Sequence, residues 1–171
     1  MARLLAVLVA VALLPACHRE EAKPGAETAP SAAVPAVAAP ASSAARAEYH
    51  EAQFDLALVP AGPLTEGKPG VMEVRLSAKG GYHVNDKYPY KFKVDPAPGL
   101  KWGSDVFTKD ALTLEEKQAT MKVDVVPEEQ GTRAVSGTFS FSVCSPERCL
   151  VEKRALAANV LVLGRTGKRN D

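Results

Sequence analysis

The chain has 171 residues, of which 21 are Lys or Arg and 20 are Asp or Glu, for a formal net charge of +1. That length fits one domain with appendages, and the balanced charge, with no basic stripe, argues against a nucleic-acid surface. Three cysteines leave one over once a pair is made. In chain order, residues 1–16 read as a secretory leader. Arg3 supplies the positive start, and Leu4 to Leu14 is an apolar run too short to span a bilayer.

The leader ends Leu14-Pro15-Ala16-Cys17, which resembles a bacterial lipobox. That motif implies that Cys17 becomes the lipidated first residue. The alternative is an ordinary leader with an incidental cysteine. Lipidation of Cys17 leaves Cys144 and Cys149 as one pair in an oxidising compartment, where disulfides persist. The expected location is the bacterial cell envelope, with the chain lipid-anchored and facing the periplasm rather than crossing the membrane. His18, not an aspartate, follows Cys17, which favours the outer membrane.

Residues 17–47 form a tether rich in Ala, Pro, Ser and Thr. Its prolines Pro24, Pro30, Pro35 and Pro40 spoil a helix and favour extended chain. Residues 48–164 are expected to fold, and 165–171 form a polar tail. The folded part alternates apolar and polar residues at a period of two, which marks strands with one buried face. This holds for Phe54-Leu56-Leu58, Met72-Val74-Leu76, Phe92-Val94, Met121-Val123-Val125 and Phe139-Phe141-Val143, and Ala158 to Leu163 closes the domain. Turns are expected at Pro60 to Pro69, Gly80-Gly81, Pro96 to Gly99 and Glu128 to Gly131. Asp110 to Gln118 is expected to be extended or irregular. The pattern predicts an all-β, immunoglobulin-like antiparallel sandwich. Its core is drawn from Phe54, Leu56, Val74, Leu76, Phe92, Val94, Val123, Val125, Phe139 and Phe141.

The chemistry concentrates at Phe139 to Val151, which reads as a β-hairpin with a cysteine on each side of its turn. Parity puts Cys144 on the face of Ser140 and Ser142, away from the phenylalanines. Four residues later Cys149 should lie nearly opposite, within disulfide reach if the α-carbons are roughly 4.4–6.8 Å apart. So short a loop makes the bond a weak staple, worth about 2 kcal/mol. Spacing alone leaves a structural staple and a bond that is made and broken equally open. His83, in Gly-Tyr-His-Val-Asn, is a candidate neighbour able to influence a thiolate, or simply a polar strand-end residue. Arg148, Lys153 and Arg154 favour a thiolate near Cys149, whereas Glu147 and Glu152 oppose it. His50 carries little weight. A metal site from Cys144, Cys149 and His83 lacks a recognisable fourth ligand, so no metal and no cofactor are expected. Of the aromatics Tyr82, Tyr88, Tyr90, Trp102 and Phe107, most serve packing. Phe107 sits in a loop suited to fold over a neighbouring site.

Over residues 54–162 the chain resembles the N-terminal periplasmic domain of the DsbD-type thiol:disulfide interchange proteins, the disulfide bond corrector domain family. The landmarks are Gly81-Tyr82-His83-Val84-Asn85, Tyr88-Pro89-Tyr90, Gly99-Leu100, and Phe141-Ser142-Val143-Cys144 followed by Cys149-Leu150. The resemblance implies an immunoglobulin-like component of a protein-disulfide reductase system. In it, Cys144 and Cys149 shuttle between dithiol and disulfide through mixed disulfides. It implies a thioredoxin-like or membrane-embedded oxidoreductase as electron donor and a periplasmic thiol oxidoreductase as acceptor. It also implies a cap loop over the cystine, with Phe107 as the covering ring, Asp105 nearby, and His83 and Tyr82 in support. The chain departs from the family by carrying His83 and Asn85 where tyrosines flank the site, and Val151-Glu152 where a proline often follows. The membrane and thioredoxin domains of the full-length family protein are not in this sequence, so a separate electron donor is expected. Cys149, beside Arg148, is the expected attacking thiol and Cys144 its resolving partner. The other reading is a non-enzymatic interaction module with a structural hairpin disulfide.

Overall fold

The structure is a computed structural model that describes residues 45–165. The expected leader, Cys17, the tether as far as residue 44 and the tail beyond Arg165 lie outside the described residues. Two six-stranded sheets pack face to face. The first runs β1 (Glu48–His50), β2 (Phe54–Pro60), β4 (Gly70–Ala78), β10 (Gln118–Pro127), β7 (Leu100–Trp102), and β9 (Leu112–Leu114) also pairs with β10. The second runs β3 (Leu64–Thr65), β12 (Cys149–Leu163), β11 (Gly131–Cys144), β6 (Lys91–Val94), β8 (Val106–Phe107). There β5 (His83–Val84) pairs with the end of β11. All strand pairs are antiparallel except β3 with β12. This is the predicted sandwich of immunoglobulin type.

The core forms because alternate residues of each strand point between the sheets. β2 shows this directly: Phe54, Leu56 and Leu58 are buried, and the residues between them are less so. All the core residues predicted from alternation are buried. Phe139 and Phe141 stack with ring centroids 5.3 Å apart, and Phe54 meets Phe141 edge-on at 4.9 Å. Such pairs add specific geometry to the burial of large apolar area. Gly137 permits a close approach in this layer. A Cβ there would come within 2.5 Å of the Phe92 ring and 2.6 Å of the Lys93 carbonyl oxygen.

Several elements differ from expectation. The domain begins before residue 48: Arg46 forms a parallel bridge to Leu156 in the second sheet, and Ala47 accepts a hydrogen bond from Leu58 N–H in the first. The first strand therefore passes from one sheet to the other. His50 lies inside β1. The segment after Asp110 is extended, as expected, but a 3-10 turn at Lys109–Ala111 precedes it. The Pro60–Pro69 turn contains β3. The return strand of the hairpin is continuous from Cys149 to Leu163, where the sequence marked only its two ends. Glu152 and Arg154 take inward positions opposite Phe141 and Phe139, and these charges hide the alternation. They are accommodated because Arg154 pairs with Glu152 at 3.0 Å and its guanidinium lies over the Tyr49 and Phe54 rings at 5.6 and 5.8 Å.

Candidate functional site

The hairpin end is shaped by its own turn before any disulfide is counted. Ser145 N–H donates to the Arg148 carbonyl at 2.8 Å, and the Ser145 hydroxyl accepts from the N–H groups of Glu147 and Arg148, both at 3.3 Å. That closure makes Cys144 and Cys149 register partners, and they are joined by a disulfide. Hydrogen-bonded and non-hydrogen-bonded pairs alternate along an antiparallel ladder. The pair next to Ser145–Arg148 is therefore non-hydrogen-bonded, the position where opposed α-carbons come closest. The separation is 4.0 Å, slightly shorter than the range expected from the sequence.

The two sulfur-bearing residues differ in access. Cys144 is only 6% exposed, whereas Cys149 is exposed. Parity holds for Cys144: it stands outside the apolar core, on the face of Ser140 and Ser142. Its burial comes from the chain passing beside it. Val84 pairs with Val143 and His83 with Cys144. Asn85 N–H and the Tyr90 hydroxyl then both donate to the Ser142 carbonyl, at 3.1 and 3.0 Å. Ser142 itself is fully buried, with its hydroxyl accepting from the Asn85 amide at 3.4 Å. Burial of the Tyr90 phenol raises its pKa from 10.0 to about 12.

The sequence-predicted residues divide into two groups. His83 is brought beside Cys144, on the same face of the sheet because paired residues share a face. Tyr82 is tied to the turn: Arg148 Nε donates to its hydroxyl at 3.2 Å. That hydrogen bond is the main cause of an upward shift of the Arg148 pKa, and it ties the guanidinium to Tyr82. Glu152 and Arg154 pair with each other on the inward side, away from the cystine's face, and Lys153 stays on that face.

Phe107 and Asp105 are placed elsewhere. Phe107 pairs with Phe92, which pairs with Phe139, so its ring belongs to the buried core on the opposite face from Cys144. Its register position lies five residues along β11 from Cys144, roughly 16 Å at 3.3 Å per residue. The expectation of a phenylalanine cap at Phe107 is corrected on that ground: its side chain faces inward, where burial of a ring is most favourable. Asp105 is exposed beyond it, its carbonyl accepting from Val94 N–H. His50 hydrogen-bonds Asp55 at 3.0 Å, which raises its pKa, and takes no part in the cysteine site. The described residues contain no cluster of three or more His, Cys, Asp or Glu able to hold a metal ion.

Two features were not visible in the sequence. The Tyr82–Arg148 link joins residues 66 apart and has no local signature. The other is that, among the described residues, β12 next to Cys149 has a neighbouring strand on one side only, β11.

Fold and site together define an immunoglobulin-like sandwich with a half-exposed cystine at the end of its longest hairpin. No family model matches the sequence, and neither does any curated protein. Among solved structures, the chain is similar to a cohesin module from a Clostridium perfringens family 33 glycoside hydrolase. Identity there is 11% and the TM-score 0.35, over 67% of this chain and 100% of that one. It is also similar to AggA, the major subunit of aggregative adherence fimbriae type I from Escherichia coli. In that case identity is 12% and the TM-score 0.32, over 67% and 99% of the two chains.

Proposed function

We propose that the domain is a thiol–disulfide exchange module working through Cys144 and Cys149. The observation that carries this reading is the asymmetry of the pair, with one sulfur-bearing residue exposed and the other enclosed beside His83. A partner thiolate attacks the Cys149 sulfur, forms a mixed disulfide there and releases the Cys144 thiolate. A second thiol of the partner then attacks the mixed disulfide. The partner leaves as a disulfide, and two electrons remain on Cys144 and Cys149. Transfer onward is the reverse: the Cys149 thiolate attacks the acceptor's disulfide and Cys144 resolves the adduct. Arg148, held by Tyr82, favours the Cys149 thiolate electrostatically. His83 stands where the Cys144 thiolate forms and can hydrogen-bond it.

The remainder of the reading rests on sequence. Cys17 carries the lipid, residues 17–44 tether the domain, and the module works at the envelope, facing the periplasm from the outer membrane. It takes electrons from a thioredoxin-like or membrane-embedded oxidoreductase and passes them to a periplasmic thiol oxidoreductase. The competing reading is an interaction module with a structural bond. The turn already closes through Ser145, which leaves a staple little to add. The deciding experiment is the reduction potential in glutathione and dithiothreitol buffers. Exchange proteins lie at roughly −120 to −270 mV, and a value below about −300 mV defeats the proposal and leaves the structural bond.

A further inference from the structure

We infer that the bare edge of β12 from Cys149 to Lys153 docks an extended segment of a cysteine-bearing partner protein, which adds to the second sheet as a strand. This rests on the exchange reading above and names how the partner is held.

In an antiparallel ladder alternate residues send N–H and C=O to opposite sides of the strand. On β12 the bonds to Arg46 identify which residues face outward. Arg46 N–H donates to the Ala155 carbonyl at 3.4 Å, and Ala157 N–H donates to the Arg46 carbonyl at 2.9 Å. Further on, Leu163 accepts from Glu66 N–H at 2.9 Å. The odd-numbered residues therefore face the outer edge. At the far half of β12 that edge is taken by Arg46 and by β3. At Cys149, Val151 and Lys153 the backbone groups point outward, and among the described residues they meet neither a neighbouring strand nor a backbone partner. A short gap at Asn159 to Leu161 lies between Arg46 and β3, is closed at both ends and holds no reactive group.

Unpaired edge groups are a template for another extended chain. Natural edges are guarded by charge or by covering, yet the middle residue here is Val151, an exposed hydrophobic at 66%. Its side chain shares a face with Cys149, so an added strand finds backbone partners and an apolar contact together.

The geometry also aligns the chemistry. Paired residues share a face, so a cysteine on the added strand opposite Cys149 projects beside it. At a hydrogen-bonded pair the α-carbons stand about 5.5 Å apart, within disulfide range. Across the sheet the order becomes partner cysteine, Cys149, Cys144, His83. The attacking sulfur arrives on the far side of Cys149 from the sulfur it displaces, the arrangement that displacement at sulfur requires. A second copy of this chain, paired about Val151, sets Lys153 opposite Cys149 and offers no thiol.

The test uses the intact Cys144→Ser protein with Cys149 blocked as its mixed disulfide with 2-nitro-5-thiobenzoate. Seven-residue peptides with one central cysteine displace the aryl thiolate, whose colour reports the rate. N-methylation of the cysteine or of residues two away removes donors aimed at β12, and methylation of its immediate neighbours removes donors aimed away. We expect the first group to react about tenfold slower than the second, and glutathione to gain nothing from the edge. Val151→Pro removes an outward donor without breaking the β11 ladder, and should slow the unmethylated peptide while leaving glutathione unchanged. Equal rates for both methylated groups, with exchange otherwise normal, overturn the docking edge and spare the exchange reading. So does coverage of the edge by a second copy or by the chain ahead of Ala45. No displacement by any thiol, glutathione included, defeats both. The wild-type protein treated with the same peptides and quenched in acid should give the same ranking.

Discussion

The two halves of β12 share one strand and one partner, β11, yet they are finished differently. From Leu156 onward the inward residues Leu156, Val160 and Val162 are buried, and the outer edge is occupied by Arg46 and β3. From Cys149 to Arg154 the inward residues are Leu150, Glu152 and Arg154, the outer edge has no neighbouring strand among the described residues, and Cys149 is exposed. Stability is concentrated in the far half and access in the near half. A site that must meet another protein is best placed where the sheet loses little by being open, because local contacts there are few.

The largest effect expected from breaking this division is in the far half. Leu156→Ala removes a fully buried side chain opposite Gly137 and should cost about 2–5 kcal/mol in urea unfolding. The near half should respond less. Cys144→Ser or Cys149→Ser should lower stability by at most about 2 kcal/mol, because the loop is short and its turn is closed independently, while exchange is abolished. A loss as large as that of Leu156→Ala would show that the disulfide is chiefly structural.

Tyr90 lies between these extremes, joining the core to the chain that encloses Cys144. Tyr90→Phe removes its hydrogen bond to Ser142 and should cost about 1 kcal/mol. Because the folded phenol's pKa is raised from 10.0 to about 12, its contribution is intact below pH 10 and is lost as pH rises towards 12. Unfolding midpoints of wild type and Tyr90→Phe should therefore converge over that window. The smallest change in stability is expected at the surface. Arg148→Met should leave stability nearly unchanged but raise the pKa of the reduced Cys149 thiol, read from the pH dependence of its alkylation.

What the sequence made legible follows the same division. Strict alternation in β2, β4, β6, β10 and β11 marked the core, since one buried face leaves a period of two. The turn at Ser145-Pro146 and four intervening residues placed Cys149 opposite Cys144. The near half of β12 was hidden because Glu152 and Arg154 face inward, their charge neutralised by each other and by aromatic faces, and no local pattern announces that. β1, β3, β5, β7, β8 and β9 are two or three residues long, too short for a period to emerge. Phe107 was misplaced for this reason: only its pairing with Phe92 reveals that it faces the core.

In the proposed exchange cycle every transfer passes through the Cys149 sulfur. Reaction of the reduced Cys144→Ser and Cys149→Ser proteins with 5,5′-dithiobis(2-nitrobenzoate) tests this directly, since each retains one cysteine of the pair and the mixed disulfide releases a coloured thiolate. The exposed Cys149 should react at least about tenfold faster than the enclosed Cys144. Equal rates, or a faster Cys144, would contradict the assignment.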